Sequence, residues 1–202
     1  GFGGAGIPVN LMRGLRDHSA KNLTVIVNGM RYLETHSAEI FEQKRVVRAI
    51  TTSARGSGRD TVTFEQQWLD GYLEVEVAPQ GSFVERIRAG GTGIAAFYTP
   101  TGVGTDLAKG KEVREFDGKP HVLEHALTAD FAFIRAQRAD RWGNIEFHGS
   151  QANFGPAMAS AARITVVEVG ELTEAPIEPT KIGIPGIHVQ RVIQQTDHRD
   201  QA

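Results

Sequence analysis

The sequence contains no cysteine among its 202 residues. This absence excludes a thiolate nucleophile, a disulfide framework and a zinc site with cysteine ligands, and it agrees with a cytoplasmic protein. Neither sign of charge dominates, because 22 Lys and Arg residues stand against 24 Asp and Glu residues, for a net charge of −2. Such a balance gives no broad electrostatic footprint for nucleic acid or anionic lipid. No apolar run approaches the roughly 18 residues that would indicate a membrane span.

The length and apolar content fit one α/β domain better than two. With 202 residues, 40% of them hydrophobic, the chain is long enough to bury a core of its own. Short apolar runs alternate with helical patterns through the first half, which predicts a mostly parallel (mixed) sheet covered by helices. We assign this domain to residues 1–193 and a polar C-terminal tail to residues 194–202. The predicted helices span residues 8–18, 37–43, 64–69, 83–89 and 157–162, and the predicted strands span residues 23–27, 46–50, 73–77, 113–116, 131–135, 145–147, 165–169 and 187–192.

Glycines cluster at the start of the chain. Gly1, Gly3 and Gly6 fit the G-x-G-x-x-G spacing that lays a pyrophosphate against a helix N-terminus in dinucleotide-binding folds. The next predicted strand ends at Asn28, however, where such folds place an acidic residue for the ribose. We therefore favour a tight turn into a helix beside a ligand over a nicotinamide or flavin site.

A second motif, His121-x-x-Glu124-His125, matches a zinc-protease pattern in which two histidines one helical turn apart bind the metal. That pattern needs sustained helical periodicity and a third ligand. These residues instead follow Gly118 and Pro120 and alternate as an exposed strand edge would. We interpret them as surface histidines and expect no metal site.

Two amide side chains stand at the carboxyl ends of predicted strands, where α/β folds bind ligands. Asn28 ends the first strand, and Gln80 lies between Pro79 and Gly81 after the third. An amide offers both a hydrogen-bond donor and an acceptor, and it is also common in turns. Each residue is therefore either a turn residue or a ligand contact.

No residue of the chain is convincing as a covalent nucleophile. Cysteine is absent, and no serine lies in a G-x-S-x-G elbow. Glu74, Glu76 and Glu85 flank the turn at Gln80, and we expect them on a solvated strand face and helix surface. Covalent catalysis by this chain would have to use Asp, Glu, Lys or Thr.

Five separated segments carry further motifs. The first is similar to a G-G-F-G-x-x-G-x-P pattern, and the second contains the run Ala78-Pro79-Gln80-Gly81. Together, in this order, the segments resemble the α subunit (A-subunit) of the family I CoA-transferases, the 3-oxoacid and 3-oxoadipate enzymes, over nearly the whole chain. The segments are residues 3–8, 77–91, 97–105, 139–144 and 153–156.

The resemblance implies ping-pong transfer of CoA from a thioester donor, typically succinyl-CoA, to a free carboxylic acid. In this family a glutamate attacks the thioester, giving an acyl-glutamyl anhydride and then a glutamyl-CoA thioester. That glutamate belongs to the β subunit (B-subunit), so the resemblance implies an αβ or α2β2 heteromer. The CoA thioester is then a substrate, and no cofactor is expected to be bound. Among acids, the resemblance favours 3-oxoadipate, with acetoacetate next.

The same resemblance gives roles to particular residues. By motif position, Gln80 would hydrogen-bond the substrate carboxylate, and Asn28 would help to stabilise the oxyanion that forms as the glutamate attacks. Gly3 and Gly91, in the glycine-rich stretches, would let the backbone approach the substrate. No metal, nucleic acid or membrane is expected to take part.

The chain departs from the family pattern in two places. Gly29 and residues 30–43 do not follow the usual sequence after Asn28, and Ala152 stands where relatives usually carry an arginine. The first departure bears on the oxyanion role of Asn28, and the second, at Ala152, indicates either an unusual acid substrate or a relative that has turned to thioester hydrolysis. Outside these activities, the alternative is a stand-alone ligand-binding or sugar-phosphate isomerase-like α/β protein.

Overall fold

The computed structural model describes residues 1, 4–56, 58 and 60–195. The helices are α1 (Val9–Asp17), α2 (Met30–Ser37), α3 (Glu39–Glu42), α4 (Thr63–Leu69), α5 (Gln80–Thr92) and α6 (Gly155–Ala161). The strands are β1 (Leu23–Gly29), β2 (Val46–Ser53), β3 (Glu74–Val77), β4 (Ala96–Thr99), β5 (Val113–Phe116), β6 (Lys119–His125), β7 (Ala129–Asp140), β8 (Ile145–Glu146), β9 (Ala162–Thr173) and β10 (Arg191–Gln194). Short 3-10 helices cover Asp106–Ala108, Gly149–Gln151, Pro179–Lys181 and Gly186–His188.

Strands β1, β2 and β3 form a parallel sheet in that order. Val27 of β1 pairs with Thr51 of β2, which in turn pairs with Val77 of β3. Runs of Val, Ile and Thr suit such a half-buried pleated surface, and the intervening helices provide the crossovers that parallel pairing requires. Because the strands are parallel and in register, their carboxyl ends lie together along one edge.

The remaining strands form two further sheets. In one, the order is β10-β9-β7-β8, with β7 parallel to β9 and antiparallel to β8. In the other, β4, β6 and β5 form an antiparallel sheet in that order. The prediction of an α/β fold with mixed strand directions is confirmed, although the strands are divided among three sheets.

The segment after β1 differs from the sequence-based expectation. The sequence pattern predicts one helix over residues 37–43, whereas α2 begins at Met30 and α3 follows it. Helix α2 buries Met30, Leu33 and Ser37, which share one face at spacings of three and four residues. Polar residues occupy most of the other positions, so the apolar periodicity is short and easily missed.

Among the described residues, no helix is long and apolar enough to cross a membrane.

Two other regions also differ from the structure expected from the sequence. Strands β4 and β6 pair with each other across residues that sequence patterns do not identify as strands. The strand predicted over residues 187–192 is instead a short 3-10 helix followed by β10, which ends at Gln194. The buried Gln195 then donates a hydrogen bond of 2.6 Å to Glu168, so the ordered part continues beyond residue 193. The rest of the predicted tail, residues 196–202, lies outside the described residues.

Helix α5 packs between the sheets. One hydrophobic cluster packs against the parallel sheet and contains Phe41 and Phe64, whose ring centroids are 5.7 Å apart. A second surrounds Val167 of β9. A third cluster contains Phe83 and Ile87 of α5 together with residues from both halves of the chain. The position of α5 is therefore fixed by packing on more than one side.

A buried ionic network also holds α5. Arg86 lies 2.5 Å from Glu76 of β3, donates a hydrogen bond of 2.8 Å to the His125 carbonyl, and lies 3.7 Å from Glu124 of β6. The Arg86 and Glu124 side chains are only 7% and 3% exposed. One guanidinium thus links the helix to both the parallel and the antiparallel sheet.

Glu76 is consequently not the solvated residue that the sequence suggested. Its second carboxylate oxygen lies 3.0 Å from Arg48, so two arginines neutralise one partly buried carboxylate. Glu74 also pairs with Arg48, at 3.1 Å, but it is 67% exposed. Glu85 pairs with Arg88 on the surface of α5. The prediction of solvated carboxylates was therefore wrong for Glu76, because the buried Arg86 of helix α5 pairs with it and partly covers it.

Replacing Arg86 by Met should destabilise the fold strongly. The change leaves two carboxylates without a cation that contacts both, and breaking a buried ion pair from one side costs about 3–5 kcal/mol. Urea unfolding of Arg86→Met beside Arg88→Met measures this effect, since Arg88 lies on the same helix but forms a surface pair. Equal midpoints for the two variants would contradict the role given to the network.

Asp140 organises the turn between β7 and β8. Its Oδ1 accepts hydrogen bonds from the backbone N–H groups of Trp142 and Asn144, at 3.0 and 2.9 Å. Its Oδ2 accepts from the Asn144 side chain at 2.9 Å and from Ile177 N at 3.1 Å. Burial alone would raise the pKa of Asp140, but these hydrogen bonds to the charged form hold its pKa below the ordinary value. The turn therefore also anchors a distant segment, through Ile177.

The stabilisation from Asp140 should depend on pH. Asp140→Asn places an NH₂ group against hydrogen-bond donors and should cost about 2 kcal/mol or more at neutral pH. Because the folded-state pKa is lowered, the contribution is fully present above the unfolded pKa of about 4 and is lost as the pH falls through the folded pKa. The unmodified protein and Asp140→Asn should be unfolded with denaturant at several pH values between 3 and 7. The difference between their free energies of unfolding should narrow only at the acid end of this range. A difference that is constant with pH, or an equal loss in the exposed Asp130→Asn, would refute this account.

Candidate active site

Three polar side chains meet where β1, β2 and β3 end. Gln80, three residues after the end of β3, donates a hydrogen bond from Nε2 to Asn28 Oδ1 at 2.9 Å. Thr52 Oγ1 of β2 lies 3.0 Å from the same Oδ1 and 2.7 Å from the Asn28 carbonyl oxygen. Asn28 is partly buried and Gln80 is exposed, so the cluster is open to a ligand at the surface. The sheet topology therefore brings together residues that are separated by 52 positions in sequence.

Gln80 is the first residue of α5 rather than part of an isolated turn. Pro79 precedes the helix, and no side chain among the described residues caps this end. The first N–H groups of a helix have no acceptor within the helix and carry its positive dipole end. The turn after β4 also approaches this point, since a Cβ placed on Gly102 would lie 3.9 Å from the Pro79 ring. This end of the helix is thus favourable for a negatively charged group.

The hydrogen bonds define which atoms the cluster can offer to a ligand. Asn28 Oδ1 accepts from Gln80 and Thr52, so Asn28 Nδ2 is the end of the amide that remains as a donor. Gln80 Nε2 uses one hydrogen toward Asn28 and retains a second. The cluster therefore presents neutral N–H donors, which suit a carboxylate or an oxyanion, and it supplies neither a carboxylate nor a thiolate for attack.

The two residues proposed from sequence as site residues are thus in direct contact. Their roles in carboxylate binding and oxyanion stabilisation stay predictions. Sequence reasoning missed Thr52. Its position at the end of the strand beside Asn28 was the available signal, but a threonine in a β-branched run is typical of a strand for reasons unrelated to a site.

The glycine-rich start of the chain packs against the segment that precedes α6. Gly6 has a φ of +69°, and a Cβ there would lie 2.7 Å from the Gln151 carbonyl oxygen. Asn153 Nδ2 donates to the Ala5 carbonyl at 3.2 Å. Ala152, the position of the second sequence departure, lies within this packed segment. Gly3 lies outside the described residues, and its proposed contact with substrate stays a prediction.

Gly91 is not part of the cluster at Asn28 and Gln80. It lies 11 residues beyond Gln80 on α5, which is about 16 Å at the rise of an α-helix. A Cβ on Gly91 would lie 2.2 Å from Ser160 Oγ and 2.8 Å from Ser160 Cβ. A close neighbour is expected at a glycine in such a stretch, and at Gly91 this neighbour is helix α6. This packing by itself accounts for the glycine, and its assignment to substrate binding stays a prediction.

The motif with His121, Glu124 and His125 lies on strand β6. Residues four apart on a strand are separated by about 13 Å, so these histidines do not have the spacing of a helical zinc motif. Glu124 is buried and pairs with Lys111 at 2.6 Å. Among the described residues, no group of three or more His, Asp or Glu side chains is arranged to hold a metal ion.

Comparison with known proteins shows the family to which this chain belongs. The chain belongs to the coenzyme A transferase family, whose model matches residues 1–195. It is 46% identical over 194 residues to the A-subunit of succinyl-CoA:3-ketoacid coenzyme A transferase from Xanthomonas campestris pv. campestris (strain B100), covering 96% of this chain and 78% of that protein. It is 44% identical to the A-subunit of 3-oxoadipate CoA-transferase from Pseudomonas putida, covering 96% of this chain and 83% of that protein.

Solved structures agree on the fold. Glutaconate coenzyme A-transferase from Acidaminococcus fermentans superposes with a TM-score of 0.81 at 20% identity, over 100% of this chain and 70% of that chain. The decarboxylase AibA/AibB superposes with a TM-score of 0.78 at 20% identity, over 96% of this chain and 74% of that chain.

The family match and the sequence relatives confirm the family predicted from sequence motifs and its CoA-transfer activity. The comparisons do not support an isomerase-like or stand-alone ligand-binding protein, or a thioester hydrolase.

Gly91→Ala tests whether this glycine serves packing. The added methyl group would collide with Ser160, and overpacking of this kind costs about 1–3 kcal/mol. Gly14→Ala is a matched control, because Gly14 is also in a helix but has open space at its Cβ, so this change should stabilise by about 1 kcal/mol. Thermal unfolding should therefore shift in opposite directions for the two variants. A second change, Ser160→Gly, should recover part of the loss in Gly91→Ala, and an absence of recovery would contradict the packing role.

Proposed function

We propose that this chain is the α subunit of a heteromeric enzyme that moves CoA from succinyl-CoA to a 3-oxoacid. The attacking glutamate is supplied by the β subunit. The observation that carries the proposal is the contact between Gln80 and Asn28, which builds a cluster of N–H donors without a nucleophile. The two relatives described above are each named as one kind of subunit of a CoA-transferase, which supports a division of the enzyme into two kinds of subunit.

In the proposed reaction, the glutamate carboxylate of the β subunit attacks the succinyl-CoA carbonyl carbon. The C–S bond breaks, CoA leaves as a thiolate, and a mixed anhydride forms. The thiolate then attacks the glutamyl carbonyl, which releases succinate and leaves CoA on the glutamate. The acceptor acid reverses these two steps and leaves as its CoA thioester, so the reaction balances without a cofactor.

The residues of this chain act on the charges that develop during these steps. Asn28 Nδ2 donates to the oxyanion formed when the carbonyl is attacked, where a fixed donor stabilises the transition state more than the ground state. Gln80 uses its remaining Nε2 hydrogen on the substrate carboxylate, close to the positive end of α5. Both donors are already held by hydrogen bonds within the protein, which lowers the reorganisation needed during reaction.

We favour 3-oxoadipate as the acid, with acetoacetate next. Relatives named for a 3-ketoacid and for 3-oxoadipate are almost equally similar to this chain, at 46% and 44% identity. The choice therefore rests on the motifs around residues 140–144 and 154–156, which resemble the 3-oxoadipate enzymes more closely.

Expression of the chain with and without a candidate β subunit tests the division of the enzyme. CoA transfer from succinyl-CoA to 3-oxoadipate and to acetoacetate should appear only in the complex, and the mass of the complex distinguishes αβ from α2β2. The ratio of kcat/KM for the two acids identifies the preferred substrate. Full transferase activity of this chain alone would refute the proposal.

Gln80→Ala should weaken use of the acid in the assembled enzyme. Loss of a hydrogen bond to a charged group should raise the KM for the acid by about tenfold or more, with little change in assembly. Gln66→Ala is the control, because Gln66 is an exposed glutamine on α4 whose side chain bonds to Asp70 on the same helix surface. Steady-state kinetics in both substrates measure the effect. Unchanged kinetics for the acid would remove Gln80 from the site.

A further inference from the structure

We infer that Thr52 is a positioning residue, whose hydroxyl keeps the Asn28 amide turned so that Nδ2 faces the reacting carbonyl. This inference rests on the proposed role of Asn28 as the oxyanion donor. It adds a third residue to the two, Asn28 and Gln80, that were predicted from sequence.

The need for such a residue follows from the shape of an amide. The oxygen and nitrogen of an asparagine side chain are nearly equal in size, so packing alone does not select one orientation. Asn28 Oδ1 faces two donors, Gln80 Nε2 at 2.9 Å and Thr52 Oγ1 at 3.0 Å. If the amide turned over, its NH₂ group would face the NH₂ group of Gln80. With Gln80 oriented as it is in this structure, both residues donate to Asn28 Oδ1, and Nδ2 is the end of the amide that faces away from them.

Thr52 is better suited than Gln80 to hold that orientation during the reaction. Gln80 is exposed and is the proposed donor, through its second Nε2 hydrogen, to the substrate carboxylate, so the position of its side chain also depends on the substrate. Thr52 is partly buried on β2, and its χ1 angle is restricted by branching at Cβ. The hydroxyl consequently remains beside Asn28 when Gln80 engages a ligand.

Thr52 is one of several residues that hold the backbone of Asn28 in strand β1. Its hydroxyl also lies 2.7 Å from the Asn28 carbonyl oxygen, so its one proton is divided between two acceptors. Thr51 Oγ1 lies 3.2 Å from that same carbonyl, and the pairs on either side of Asn28 join Val27 to Thr51 and Gly29 to Ser53. Removing the Thr52 hydroxyl should therefore leave the strand in place and loosen mainly the side-chain amide.

Kinetics of the assembled enzyme carrying Thr52→Val test the inference. Valine keeps the shape and strand preference of threonine but lacks the hydroxyl. We expect kcat to fall by about five- to tenfold with the KM for the acid unchanged, as for an interaction that matters only in the transition state. Thr52→Ser should restore most of the rate. Ser53→Ala, which removes an exposed hydroxyl from the next residue of the strand, should have no effect.

A double-mutant cycle with Asn28→Ala separates this inference from the proposed function. If Asn28 is the oxyanion donor, Asn28→Ala should lower kcat by about 100-fold. Thr52→Val should then have no further effect in that background. A normal rate for Asn28→Ala would overturn the proposed role of Asn28 itself. A low rate for Asn28→Ala with a normal rate for Thr52→Val, or with fully additive losses, would overturn only the positioning role.

Discussion

The architecture of the site depends on how helix α5 is held. Its first residue is Gln80, and its seventh, Arg86, is buried between Glu76 of the parallel sheet and Glu124 of the antiparallel sheet. The guanidinium satisfies both carboxylates and a backbone carbonyl at fixed angles, which a lysine could not do. Since a helix is stiff over two turns, fixing Arg86 also fixes the direction in which Gln80 approaches Asn28. The sheet edge that carries Asn28 and Gln80 is thus positioned by an ion pair that is not part of their cluster.

In the proposed function, the cluster that results is half of a catalytic apparatus. It has donors for negative charge, a helix N-terminus and an open surface, whereas the proposed nucleophile belongs to the other subunit. A carboxylate built into this same edge would compete for the donors that the proposal gives to the substrate. In the proposed enzyme, a nucleophile on another subunit avoids that competition and makes activity depend on assembly. The neutral amides also remain effective over a wide pH range, because neither titrates.

Sequence patterns identified the features that are set locally. The run before Asn28 is dense in β-branched residues and the run before Gln80 alternates Glu with Val, so the strands and the residues at their ends were predictable. The contact between Asn28 and Gln80 follows from parallel register and could be anticipated in outline. The pairing of β4 with β6 could not, because it joins residues such as Tyr98 and Leu123 that are far apart in sequence, and it depends on packing rather than on composition.

Two individual residues show what sequence patterns do not distinguish. A close approach to Gly91 looks the same in sequence whether it comes from a ligand or from Ser160. Glu76 was misjudged because a charged residue in an alternating strand normally faces solvent, and only the fold reveals its two arginine partners.

The claim that most of this account depends on is the location of the covalent intermediate. The most direct measurement is mass spectrometry of the separated subunits after the complex has reacted with succinyl-CoA in the absence of an acceptor acid. The account predicts that the β subunit gains the mass of CoA less one water, and that this chain keeps its original mass. A CoA or succinyl adduct on this chain would contradict the divided site.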